Sequence, residues 1–132
     1  MSNYQEKYLK YKNKYIEILN QIGGHITPED RQSLGDSFRN PDRNHQQIQY
    51  CISQMKRLSQ CMRTDPNTPR KYQFFYTLGR IQELLQSKPS IWWNPFETMI
   101  QQSNYDGIIE YTDLLCASIG CGYDEAILAK GC

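Results

Sequence analysis

The sequence predicts an all-α protein in which an N-terminal amphipathic helix precedes a compact bundle of about five or six short helices. Apolar side chains recur at helical spacing through most of the chain, with little of the alternation that strands show. Thr27, Asn40, Thr68 and Asn94 each stand directly before a proline. An N-cap residue followed by proline at the first helical position is a typical helix start.

The first predicted helix covers residues 4–22 and carries an aromatic stripe. Its members step by three and four residues and therefore share one helical face: Tyr4, Tyr8, Tyr11, Tyr15, Ile18 and Ile22. Gly23 and Gly24 follow, and glycine adopts the left-handed conformation that ends a helix. We therefore divide the chain into a Tyr/Lys-rich arm, residues 1–24, and a single helical domain, residues 25–132.

The arm stripe is a candidate interface, because each ring buries a large apolar area. It is expected to dock onto the protein's own body, onto a partner or onto a second copy. A parallel coiled coil is less favoured, since Lys7 and Lys12 would then face like charges.

Five further helices and a short last one are expected in the body, at 27–38, 40–63, 69–87, 95–103, 106–119 and 122–130. The helix at 40–63 has an apolar stripe of Ile48, Ile52, Met55, Leu58 and Met62, and the helix at 106–119 has one of Ile108, Tyr111, Leu115 and Ile119. Asn94 with Glu97 fits a capping box. Gly35 makes the second half of the first body helix uncertain, and Gly120 stands where a C-terminal cap belongs.

Charge is balanced overall but unevenly distributed. The net charge is +1, which favours neither nucleic acid nor membrane as a partner. Residues 43–80 nevertheless hold seven basic side chains and one acidic, whereas residues 81–132 hold two basic and seven acidic. We expect a basic side and an acidic side on one folded body.

Cysteine spacing gives no metal or redox motif, since none of the five cysteines forms a CxxC pair. We expect reduced, mostly buried thiols, with a disulfide as the alternative.

Two stretches of the body are candidate binding sites. Arg63, Arg70 and Lys71 could hold a phosphate or an acidic surface at the start of the third body helix, or could simply be solvated. Tyr72, Phe75 and Tyr76 beside them could stack on nucleic-acid bases, although the core of their helix explains them equally well.

Trp92 and Trp93 are a candidate aromatic anchor for a partner, or they fill a gap between two helices. Asp106, Glu110 and Asp113 share a helical face that could hold a metal ion, but a solvated acidic face fits them better. Since no nucleophile, histidine and orienting group are linked by the sequence, we expect no enzyme activity, no cofactor and no metal.

The arm carries a resemblance. Its residues 7–12, 14–16, 19 and 21–24 match the form KYLKYKxKYIxLxxQxGG, which resembles an N-terminal segment found on many otherwise unrelated proteins of giant DNA viruses, the mimivirus-like group. The resemblance implies a viral origin, and a place in the host cytoplasm (the viral factory) or in the virion. It does not extend to residues 25–132.

We therefore expect a soluble, non-catalytic protein that serves protein–protein interaction or assembly, with a protein partner or a second copy of itself. The alternative is a protein that binds nucleic acid or an acidic ligand through the basic region 56–80. No apolar stretch of the sequence is long enough to span a membrane.

Overall fold

The computed structural model describes residues 26–38 and 43–132, apart from the side chains of residues 43 and 44. Within these ranges the protein forms six α-helices, one 3₁₀ turn and no strand, which confirms the all-α class. The elements are α1 (Pro28–Ser37), α2 (Arg43–Thr64), α3 (Lys71–Leu85), the 3₁₀ turn (Ser90–Trp92), α4 (Asn94–Gln101), α5 (Tyr105–Ile119) and α6 (Glu125–Leu128). The arm helix predicted at 4–22 and the helix start predicted at Asn40 both lie outside the described residues.

Helix α2 is the centre of the arrangement. It spans 22 residues and packs against α3 on one side and α5 on the other, with α6 also lying against it. Helix α1 packs against α5, and α4 packs against α5 and against the 3₁₀ turn. Helix α3 has α2 as its main neighbour and α1 has α5, so we call α3 and α1 the edge helices.

The core follows the predicted apolar stripes. On α2 the five stripe residues are no more than 1% exposed: Ile48, Ile52, Met55, Leu58 and Met62. The stripe of α5 is buried as well, with Ile108, Tyr111 and Leu115 at 0% exposure and Ile119 at 5%. Since both stripes face the same interior, burial of apolar area is the main force that joins α2 to α5.

The start of α1 is set by a capping box, in agreement with the prediction from Thr27-Pro28. The Thr27 hydroxyl accepts a hydrogen bond from the Asp30 amide at 3.1 Å, and the Asp30 carboxylate accepts one from the Thr27 amide at 3.1 Å. Two amide groups that have no helical partner are thereby satisfied.

The capping box predicted at Asn94 and Glu97 is wrong. Helix α4 has Trp93 as its N-cap and no side-chain cap. The Glu97 carboxylate instead accepts a hydrogen bond from the Trp93 indole N–H at 2.8 Å. The ring at position 93 therefore competes for the group that the capping box would have used.

Helix α3 begins at Lys71, two residues later than predicted. Thr68 does not cap the helix directly, because its hydroxyl accepts a bond from the Arg70 amide at 3.3 Å and its carbonyl accepts one from the Lys71 amide at 3.0 Å. These bonds close a tight turn over Pro69 before the helix starts.

Both ends of α5 are capped, and the cap at Gly120 was predicted from the sequence. The Asn104 side chain accepts from the Gly107 amide at 2.9 Å. At the other end Gly120 has φ 74°, and the Cys121 amide donates to the Cys116 carbonyl at 3.2 Å. This is the Schellman arrangement, in which a left-handed glycine ends the helix.

The cysteines depart from the expectation of reduced thiols throughout. Cys61 in α2 and Cys132 form a disulfide, so the alternative from the sequence holds for this pair. Cys51, Cys116 and Cys121 are free and buried, as expected. Sequence spacing does not reveal the pairing, because the last turn of α2 meets residue 132 only after α6 has folded back along α2.

Helix α1 continues past Gly35, although glycine weakens helices. The close approach of α1 to α5 at this position explains why a glycine is present. A Cβ atom at this position would lie 2.4 Å from the Ser118 carbonyl oxygen of α5. The neighbouring Arg31 donates from Nε to the Ser118 hydroxyl at 3.0 Å. Helix α1 therefore lies so close to α5 that only glycine fits at the crossing.

We predict that Gly35→Ala destabilises the protein by about 1–3 kcal/mol, because the added methyl group must displace backbone. Gly79→Ala is the matched control, since Gly79 is also inside a helix but no atom lies within 4 Å of its Cβ position. It should stabilise the isolated chain by about 0.5–1 kcal/mol. Urea denaturation of dilute protein measures both changes. A Gly35→Ala variant as stable as the parent would contradict the close crossing.

Candidate interaction surface

The outer face of α3 is the most apolar exposed surface in the described part of the chain. Tyr72 is 79% exposed, Tyr76 61% and Phe75 45%, and Tyr50 on the adjacent helix α2 is 52% exposed. The interpretation that the core of α3 explains these rings is wrong. Helix α3 buries its other side against α2, through Phe74, Leu78, Ile81 and Leu85. We name the four exposed rings the aromatic face.

A groove runs between α2 and α3 beside these rings. Its volume is about 680 Å³, and Tyr50 and Tyr76 contribute to its walls. Amide side chains line much of the rest: Gln46, Gln47, Gln54 and Gln73. The Gln54 amide donates to the Tyr50 hydroxyl at 3.0 Å, which fixes one ring of the groove wall.

Gly79 lies one turn after Tyr76, at the end of the aromatic face. Helical geometry places it on the same side as Tyr72, Phe75, Tyr76 and Glu83, at steps of three, four and seven residues. Glycine in a helix interior costs about 0.5–1 kcal/mol relative to alanine. Among the described residues, no atom lies close enough to Gly79 to exclude a side chain there. At Gly35, by contrast, the crossing with α5 leaves no room for one.

The three basic residues of the candidate anion site have different surroundings. Arg63 forms an ion pair with Asp106 of α5 at 2.9 Å. Arg70 donates from Nε to the main-chain oxygen of Cys132 at 3.3 Å, and Lys71 is exposed in the first turn of α3. Arg63 is therefore directed to α5 and Arg70 to the chain end, so the contacts do not gather the three cations around one anion.

Trp92 and Trp93 have different environments. Trp92 is 1% exposed, and its carbonyl accepts a hydrogen bond from the buried Tyr111 hydroxyl at 2.8 Å. Trp93 is half-buried, and its ring centre lies 5.5 Å from that of Phe96. Trp92 thus fills the space between the 3₁₀ turn and α5, and Trp93 packs beside it against Phe96. Neither ring projects from the surface as an anchor.

The acidic residues of α5 meet basic residues of α2. Lys56 contacts Asp113 at 3.0 Å and Arg63 contacts Asp106 at 2.9 Å. Part of the opposite charge that the sequence separates into two segments is therefore paired between α2 and α5. Across the described ranges, no group of three or more His, Cys, Asp or Glu side chains is arranged to hold a metal ion.

A polar junction joins α2, α5 and the loop before α6. The Lys56 ammonium lies 4.3 Å from the centre of the Tyr123 ring while it pairs with Asp113, and the Tyr123 hydroxyl donates to the same carboxylate. Burial raises the pKa of Tyr123, and the hydrogen bond to Asp113 raises it further. The tyrosine therefore stays protonated and donates this bond at neutral pH.

The six residues of the arm interface lie outside the described residues: Tyr4, Tyr8, Tyr11, Tyr15, Ile18 and Ile22. Their role stays a prediction. Sequence reasoning missed Tyr50 and Gly79 as surface features. The exposure of Tyr50 could have been predicted, because Tyr50 lies outside the apolar stripe of α2.

Comparison with protein-family models, with curated proteins and with solved structures finds no match to this chain. None of the helices in the described part of the chain combines the length and the apolar character needed to span a bilayer.

The two ion pairs between α2 and α5 provide a test of the polar junction. The Lys56 and Asp113 side chains are 22% and 21% exposed, whereas those of Arg63 and Asp106 are 52% and 71% exposed. Double-mutant cycles with Lys56→Met/Asp113→Asn and Arg63→Met/Asp106→Asn, followed by urea denaturation, measure both couplings.

We expect a coupling of about 1 kcal/mol or more at Lys56–Asp113, because reduced solvent screening and the Tyr123 hydrogen bond strengthen this pair. The exposed Arg63–Asp106 pair should give less than about 0.5 kcal/mol. A coupling at the exposed pair equal to or above that of the junction would contradict this order.

Proposed function

We propose that this protein is a non-catalytic assembly protein that pairs with a second copy of itself through the outer face of α3. The observation that supports this proposal is the aromatic face, with Tyr72, Phe75 and Tyr76 exposed on an edge helix. Exposed aromatic side chains at such density are typical of protein interfaces.

Gly79 favours a second copy as the partner. An antiparallel two-fold pairing of α3 helices centred between Tyr76 and Gly79 places the Tyr76 ring of each copy over Gly79 of the other. The absence of a side chain at Gly79 then leaves room for the Tyr76 ring of the other copy. A two-fold interface uses each such contact twice.

The charges of the helix fit the same antiparallel arrangement. Arg70 and Lys71 stand at the start of α3, and Glu83 lies near its end. In the two-fold pairing the start of one helix meets the end of the other. Lys71 of each copy then approaches Glu83 of its partner, which also pairs with Arg80 of its own helix at 3.8 Å. Arg80 then lies opposite Phe75, where a guanidinium and an aromatic ring attract each other.

The size of the face predicts a weak dimer. From the exposed fractions, the three α3 rings offer roughly 400 Å² per copy, about half of the 800 Å² per partner in a standard interface. We expect dissociation in the micromolar range for the body alone. Where the arm contributes its own stripe, the affinity would be higher.

The setting of this assembly is part of the proposal. The arm resembles the leading segment of giant-virus proteins, and that resemblance supports a place in the viral factory of the host cytoplasm or in the virion. Oligomers with weak individual contacts suit assembly at the high local concentrations of such compartments.

Sedimentation over a range of protein concentrations tests the pairing. Tyr72→Ser/Tyr76→Ser should weaken the dimer at least about tenfold, because exposed rings that become buried dominate interface energy. Gly79→Gln should also weaken it while stabilising the single chain, because the new side chain fills the space for Tyr76 but favours the helix. Gln101→Ser/Gln102→Ser, at the end of α4, is the control and should leave the dimer unchanged.

The same measurement on residues 25–132 separates this face from the arm. A dimer that requires residues 1–24 and tolerates both α3 variants would assign assembly to the arm. A monomer at every concentration in the full chain would overturn the proposal.

A second candidate function is binding of single-stranded nucleic acid. Lys71 and Arg80 flank the same exposed rings, and stacked aromatics beside cations are the usual elements of such sites. Titration with a labelled oligonucleotide at two salt concentrations, with Lys71→Glu/Arg80→Glu as the variant, tests it. Salt-dependent binding that the variant loses would support this function over self-assembly.

A further inference from the structure

Cys116 and Cys121 place two free thiols in contact at the end of α5. Their sulfur atoms are 3.3 Å apart, and the two residues are only 6% and 7% exposed. A disulfide places its sulfurs about 2.05 Å apart, so the two sulfurs must approach each other by about 1.2 Å for a bond to form.

The backbone holds this pair in place. The Schellman cap at Gly120 brings the Cys121 amide to the Cys116 carbonyl, and the Cys116 thiol donates to the Cys121 carbonyl. In such a cap the residue after the glycine, here Cys121, frequently makes an apolar contact with a residue of the last helical turn, here Cys116. In this protein both residues of that contact are cysteines, whose thiols can be oxidised.

The position of the pair matters because of the segment that follows it. Residues 121–132 lie along α2, where Gln49 donates to the Gly122 carbonyl at 2.6 Å and Arg57 donates to the Gly131 carbonyl at 2.5 Å. The far end of this segment is already joined to α2 by the disulfide of Cys132 with Cys61. Its near end begins at Cys121.

We propose that Cys116 and Cys121 are a second disulfide-forming pair, oxidised by a low-molecular-weight disulfide, so that residues 121–132 become covalently held at both ends. The same class of oxidant would also form the Cys61–Cys132 bond from two thiols. The product would fix the end of α5 to the start of the final segment.

The reaction is a balanced thiol–disulfide exchange. The Cys121 thiolate attacks one sulfur of the donor disulfide, which forms a mixed disulfide and releases the first small thiol. The Cys116 sulfur, after losing its proton to solvent, then attacks Cys121 Sγ and releases the second small thiol. The two cysteines lose two electrons, and the donor is reduced by two electrons to two thiols.

The thiols differ in a way that suits this order. The hydrogen bond with Cys121 and then burial raise the pKa of Cys116, whereas the hydrogen bond with Cys116 lowers the pKa of Cys121. Cys121 therefore forms a thiolate first. Cys51 is separate, since burial raises the pKa of its thiol and no sulfur contact joins it to the pair.

Refolding of the full chain from the reduced, denatured state in a buffer of oxidised and reduced glutathione tests the proposal, because burial then does not limit access. After alkylation in denaturant, intact mass counts the free thiols, and proteolysis with mass spectrometry gives the linkages. We expect one alkylated thiol, at Cys51, with the linkages Cys61–Cys132 and Cys116–Cys121.

Two variants sharpen the result. Cys121→Ala should leave Cys116 as a free thiol or a glutathione adduct and keep the Cys61–Cys132 bond. Cys51→Ser, the matched control, should form both disulfides and leave no free thiol. Three free thiols in the refolded parent, or a bond that joins Cys51 to Cys116 or Cys121, would overturn the proposal.

Discussion

The packing of α2 against helices on opposite sides is the constraint from which the rest of the described fold follows. Its apolar stripe is fully buried, and its polar positions are used as well, because Lys56 and Arg63 reach the acids of α5 while Arg57 holds the final segment. Because α2 makes apolar contacts, ion pairs and hydrogen bonds on several of its sides, it determines where α3, α5 and the final segment lie. Helix α3 consequently buries one side against α2 and leaves its outer side exposed.

The two edge helices differ in what they expose. Helix α1 presents mostly polar residues and uses its one glycine to approach α5 closely. Helix α3 presents three aromatic rings and a glycine with no contact of its own. A polar edge needs no partner, whereas an apolar edge leaves surface whose burial is favourable. This difference is the reason that the proposed assembly uses α3.

The sequence predicted the helices and their buried stripes because periodicity and caps are local properties, as Thr27 and Gly120 show. It could not predict that Glu97 would bond to Trp93, since two local partners competed for one carboxylate. Nor could it pair Cys61 with Cys132, because that contact depends on the path of α6. Tyr72 and Tyr76 were ambiguous for a related reason: a tyrosine beside an apolar stripe is buried or exposed according to which neighbouring helix is present.

The central claim, that the outer face of α3 is covered by a second copy, is tested most directly by hydroxyl-radical footprinting across a range of protein concentrations. Modification of Tyr72 and Tyr76 is compared with that of the half-buried Trp93, which lies outside the face. The account predicts that both tyrosines become protected relative to Trp93 as concentration rises through the dissociation constant. Equal relative modification at every concentration, in a sample whose mass shows a dimer, would contradict it.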